Sequence, residues 1–130
     1  MSALPKKAMA AAATARQVVG EDPDTAVGRA YYAMFDVARM LLRDRDPELA
    51  AAKTHATIIR RLSLLIVENH GLSAELGRTL NRAGDYRRIA DYGDVSVTPA
   101  DAQAVIAAMD QFFAAILPLL GDEAARGGEA

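Results

Sequence analysis

The chain has no cysteine, only two histidines and an aromatic content of 5%. Without thiols, disulfides and thiolate metal or redox sites are excluded. His55 and His70 cannot by themselves build a structural zinc site. Aromatics are scarce, and alanine supplies much of the 52% hydrophobic content. That balance disfavours sheets, because strands draw on β-branched and aromatic side chains whereas alanine is the strongest helix former. No internal repeat is evident. At 130 residues the chain is long enough for one real core and too short for two.

A strong charge of one sign is also missing. The net charge is −2, and the last ten residues, "GDEAARGGEA", account for all of it. A sequence-blind nucleic-acid binder would be strongly basic, so any anion-binding face must be local. Residues 98 to 120 hold no basic residue, whereas residues 29 to 45 hold four arginines against two aspartates. Residues 53 to 70 hold three basic residues against one acid. An anion-binding face therefore belongs to the middle of the chain. The opening "MSALPKKAMAAAATARQVVG" has the lysines of a signal peptide without its Leu/Val/Ile density, and Arg16 follows, so it reads as a helix. Asp101 and Asp110 interrupt the most apolar later segment, which argues against a membrane span. The cytoplasm is the expected compartment.

Five helical segments are readable, and no stretch alternates as a strand would. The first runs from about Ala3 to Val19 and stops at Gly20. Asp24 is the expected N-cap of the second, whose Val27, Ala30, Tyr31, Met34, Ala38, Leu41 and Leu42 recur at helical spacing up to a loop at Pro47. The third opens near Thr54 with Ile58, Ile59, Leu62, Leu65 and Ile66 inward, and ends before Gly71. Ser73 can cap the fourth, which carries Leu76, Leu80, Ala83 and Ala90. The fifth starts at Thr98 as N-cap, with Pro99 and Asp101 in its first turn, and runs through Val105, Met109, Phe112, Phe113 and Ile116 to Gly121. Short connections between amphipathic helices give an all-α, up-and-down bundle of four to five helices over residues 1–121, followed by a disordered acidic tail over 122–130. The fifth helix is apolar on more than one face, so it is either central or covered by another subunit.

Two clusters are candidates for chemistry. In "YRRIADYGD", residues 86–94, Arg88 and Tyr92 share a helix face, as do Arg87 and Asp91, and Asp85 stands three before Arg88. These are either surface ion pairs at a helix end, each contributing under about 1 kcal/mol, or guanidinium forks that hold a phosphate. In "GRAYYAMF", residues 28–35, Tyr31, Met34 and Phe35 read as core, while Arg29, Tyr32 and Asp36 form a polar stripe beside it.

The segments "GRAYYAMFDVARMLL", "KTHATIIRRL" and "ELGRTLNRAGDYRRIADYGD", in this order, resemble the HEPN family. More narrowly, they resemble the small stand-alone members that pair a "RAYYAMF" helix with an "R-x-x-ADY" helix. The resemblance runs from about Asp24 to about Leu120. It implies a helical bundle that forms a homodimer and acts with an MNT-type nucleotidyltransferase as one half of a toxin–antitoxin pair, with no metal or cofactor. Many members are metal-independent ribonucleases carrying R-x4–6-H; in some pairs the transferase attaches AMP to a toxin tyrosine. Here no arginine precedes His55 or His70 by five to seven positions, and counting from Arg87 with four residues between lands on Tyr92. A tyrosine, ordinarily titrating near pH 10, is a poor base where histidine, near 6.5, is a good one.

The resemblance thus implies a protein that binds nucleotide or RNA phosphate through Arg29, Tyr32, Arg87 and Arg88, with Tyr92 as AMP acceptor. The alternative is a divergent ribonuclease toxin in which Arg87 or Arg88 stabilises the phosphorane and Asp91 or Tyr92 handles the proton.

Overall fold

A computed structural model describes residues 3–45, 54–68 and 73–120. Among them are five α-helices and no strand: α1 (Leu4–Val18), α2 (Pro23–Arg45), α3 (His55–Glu68), α4 (Glu75–Tyr92) and α5 (Pro99–Ile116), with a short 3-10 turn over Leu117–Leu119. The expected helices and their order are all present. Pro47, His70, Gly71 and the tail from Gly121 onward lie outside the described residues, as do the side chains of His55 and Ile66.

Two helix starts, at Ser73 and Thr98, use the expected caps, and Thr54 caps a third. Thr54 Oγ1 accepts from the Thr57 backbone N–H at 3.2 Å, Ser73 Oγ from that of Glu75 at 3.1 Å, and Thr98 Oγ1 from that of Asp101 at 3.1 Å. Each satisfies one of the orphan donors of a first helical turn. The cap of α2 is a correction. Asp22, not Asp24, accepts from the Thr25 backbone N–H (3.2 Å) and hydroxyl (2.6 Å). Asp24 sits two residues further on, in the first turn, and accepts instead from the Val97 backbone N–H at 2.8 Å. It thereby ties the start of α2 to the chain entering α5.

The central helix is α2, not α5. It packs against each of the other four helices, and twelve of its residues are buried against six in α5. Ala26, Ala30, Ala33 and Ala38 are fully covered, and side chains this small let neighbouring helices approach closely. Val27, Met34, Val37 and Leu41 meet Leu62 of α3, Leu80 of α4 and Met109, Phe112 and Ile116 of α5 in one core. Truncating Phe112, which has no exposed surface, costs about 3–5 kcal/mol on the scale of such deletions.

The apolar excess of α5 is explained by alanine: Ala104, Ala107, Ala114 and Ala115 face solvent. By length and mean hydropathy (1.5) the segment Pro99–Leu119 is apolar enough to cross a bilayer, so Asp101 and Asp110 do not rule that out by composition. In the bundle it packs on α2, and its Asp110 forms an ion pair with Arg16 of α1.

Candidate functional site

The motif "YRRIADY" forms the last two turns of α4, where that helix lies on α2. Gly84 allows the approach. A Cβ there would stand 3.1 Å from the Tyr31 ring, tighter than side-chain carbons ordinarily come. Three residues on, Arg87 extends over the same surface. Its guanidinium carbon lies 5.7 Å from the Tyr31 ring centroid and 5.4 Å from that of Tyr32, within cation–π range.

The Arg87 side chain is 20% exposed and closes an internal network. One terminal nitrogen donates to the Tyr32 hydroxyl at 3.2 Å. Nε is shut off from solvent and lies 3.1 Å from an Asp91 carboxylate oxygen, an ion pair without the alignment of a hydrogen bond. Tyr31 and Tyr32 meet edge to face at 5.8 Å, and Tyr31 stacks on Phe35 at 6.0 Å. Burial pushes the Tyr31 phenol above its ordinary pKa, with the Arg87 charge opposing that shift.

Beside this network a cleft of about 540 Å³ opens between α3 and α4. Tyr31 and Gly84 form its floor, Ile59 and Arg60 the α3 wall, and Asn81, Arg87 and Arg88 the α4 wall. Among the described residues, three guanidinium groups line it and no carboxylate does. Arg60 makes no ion pair with any described residue. Arg88 is exposed and pairs with Asp85 at the rim. Both expected pairs of the motif, Arg87 with Asp91 and Asp85 with Arg88, are present.

The expected binding residues are divided between two sides of α4. Arg87 and Arg88 line the α3–α4 cleft, while Arg29, Tyr32 and Asp91 line a smaller cleft of about 230 Å³ between α2 and α4. Arg87 joins the two sides through its contacts with Tyr32 and Asp91. Tyr92 ends α4 and is 77% exposed. Arg60 and Asn81 were not singled out by the motifs. The signal for Arg60 was the excess of basic residues over 53–70; nothing in the sequence places Asn81 opposite it. Among the described residues no group of His, Asp and Glu could hold a metal ion.

A HEPN domain family model matches residues 1–119. A protein of Methanocaldococcus jannaschii named as a putative toxin is 31% identical over 87 residues, covering 67% of this chain. The chain spans 63% of that relative's length.

Proposed function

The chain belongs to the HEPN family, and we propose that it is the toxin-like half of a toxin–antitoxin pair, binding nucleotide or RNA phosphate in the α3–α4 cleft. In this reading it forms a homodimer and acts with an MNT-type nucleotidyltransferase. The observation that carries it is the cleft lined by Arg60, Arg87 and Arg88, with no carboxylate among the described lining residues. Guanidinium forks match phosphate oxygens in pairs and keep their charge at any working pH. Arg60 has no competing described partner. Arg88 gives up only an exposed ion pair, which contributes little. The name of the archaeal relative supports the toxin assignment.

The site is suited to binding more than to cutting. No histidine follows Arg87 at the spacing a ribonuclease of this family uses; Tyr92 stands there. With 77% of its surface exposed, Tyr92 is reachable by a second enzyme, which fits a role as AMP acceptor. Co-incubation with an MNT-type transferase and ATP, followed by intact-mass measurement, tests this. One added AMP that disappears in Tyr92→Phe supports the reading. No mass gain, or one that persists in Tyr92→Phe, removes the acceptor role. Expression of the chain with and without the transferase tests the pairing: growth arrest relieved by the partner is expected.

A further inference from the structure

On another face of α4, a groove of about 260 Å³ runs between α4 and α5. Thr79, Arg82 and Tyr86 line its α4 side, and Ala104, Val105 and Ala108 its α5 side. It shares no lining residue with the α3–α4 cleft. The two sides differ in chemistry. Spacings of three and four along α4 put a threonine hydroxyl, a guanidinium and a phenol on one stripe. The α5 side is wholly apolar, and Ala104 and Ala108, about one turn apart, carry nothing beyond Cβ to fill the groove. Arg82 stands out among the arginines of α4. Arg78 pairs with Glu75, Arg87 with Asp91 and Arg88 with Asp85. Asp85 is also three residues from Arg82, but Arg88 holds it. Arg82 makes no ion pair with any described residue, and the hydroxyls of Thr79 and Tyr86 make no hydrogen bond with one.

We propose that this α4–α5 groove binds a small monocarboxylic acid with an apolar body, its carboxylate on Arg82 and its body against Ala104, Val105 and Ala108. The groove offers one full positive charge and two hydroxyl donors, with no carboxylate among the described lining residues. It therefore favours an anion over a neutral ligand or a cation. One guanidinium neutralises a monoanion. The second charge of a phosphate monoester would lie against the alanine wall without a counter-charge, which is costly. A carboxylate has acceptor sites beyond the two that a guanidinium fork takes. The Thr79 and Tyr86 hydroxyls are the donors on the same stripe for those that remain. The volume falls just below the range of drug-sized sites, which limits the body to about one ring. This inference rests neither on phosphate binding in the α3–α4 cleft nor on a transferase partner.

NMR of the full chain labelled at its alanine methyls tests the site, with benzoate, benzamide and benzylamine as probes of similar size and different charge. Benzoate is expected to shift the Ala104 and Ala108 methyls saturably, with a Kd of about 1 mM for so small a ligand. Benzamide and benzylamine should bind at least about ten-fold more weakly, the loss of one charge-assisted pair. Arg82→Gln, at an arginine without an ion pair to any described residue, should keep the fold and abolish the preference for benzoate over benzamide. Ala104→Leu, at an exposed position, fills the groove and should weaken benzoate binding. Arg60→Ala with Arg88→Ala should leave it unchanged. The Ala56 methyl lines the α3–α4 cleft and reports binding there separately. Shifts at Ala56 without shifts at Ala104 and Ala108, or no shifts at all, overturn the proposal. Equal binding of benzoate and benzamide, or a preference that survives Arg82→Gln, does so as well.

Discussion

The Arg87 guanidinium donates to the Tyr32 hydroxyl at 3.2 Å, and this contact fastens α4 to α2 between two clefts. The same group lies over the Tyr31 and Tyr32 rings and pairs with Asp91. Arg87 is therefore a structural member of the α3–α4 cleft, whereas Arg88 and Arg60 are its accessible cations. Removing it leaves the Tyr32 hydroxyl and the Asp91 carboxylate without this partner. Arg87→Ala is expected to lower unfolding free energy by about 2 kcal/mol. Arg88→Ala, at an exposed pair, should change it by less than about 0.5 kcal/mol. Urea denaturation of the two variants side by side measures the difference; equal losses would show that the network contributes no stability.

The glycines at 28 and 84 should respond oppositely to alanine. Nothing lies within 4 Å of a Cβ at Gly28, so Gly28→Ala gains helix propensity of about 0.5–1 kcal/mol. At Gly84 the new methyl meets the Tyr31 ring at 3.1 Å. Tyr31 is 2% exposed and packed in the core, so it has little room to move. Overpacking of about 1–3 kcal/mol then outweighs the propensity gain. Thermal unfolding of both variants checks the sign, and a stabilised Gly84→Ala chain would contradict the close approach of α4 to α2.

Asp36 sets a pH dependence. Burial raises its pKa over the opposing charges of Arg39 and Lys7, so the folded state disfavours the carboxylate relative to the unfolded chain. The resulting destabilisation is absent below the unfolded value, about 3.9, and develops as pH rises through the folded one. Asp36→Asn should therefore stabilise the chain at neutral pH, with the gain vanishing toward about pH 3. Denaturation midpoints of wild type and variant at the two pH values test this, and an equal effect at both would exclude the titration.

Asp22 and Asp24 illustrate what was legible in the sequence. Helix caps are local, so Ser73 and Thr98 could be read from spacing alone. Both aspartates also fit a cap, and the contact that separates them, Val97 N–H on Asp24, joins residues far apart in the chain. Asp22→Ala is expected to cost about 1 kcal/mol through the lost cap. Asp24→Ala should cost a similar amount by orphaning the Val97 N–H, and it alone should speed hydrogen exchange at that amide. Protection of Val97 that survives Asp24→Ala would refute the contact.

The same division holds for the site. The ion pairs of Arg87 with Asp91 and of Arg88 with Asp85 follow from spacings of four and three on one helix, and both are present. The direction in which Arg87 points is tertiary: it depends on Gly84 letting α4 settle on the Tyr31 ring. The place of Arg60 depends on how α3 docks beside α4, which no local pattern encodes. The centrality of α2 was hidden for a related reason. Its polar stripe of Arg29, Tyr32 and Asp36 runs beside the apolar one, and that stripe lines two clefts.

Titration of the full chain with a short oligouridylate at low and physiological salt tests most directly whether the α3–α4 cleft holds phosphate. The Arg60→Ala/Arg88→Ala double variant should bind at least about ten-fold more weakly than wild type. Its salt dependence should flatten by about 0.7 in log–log slope for each arginine removed, with Arg29→Ala unchanged. A double variant that binds as tightly as wild type, with the same salt slope, would contradict the assignment.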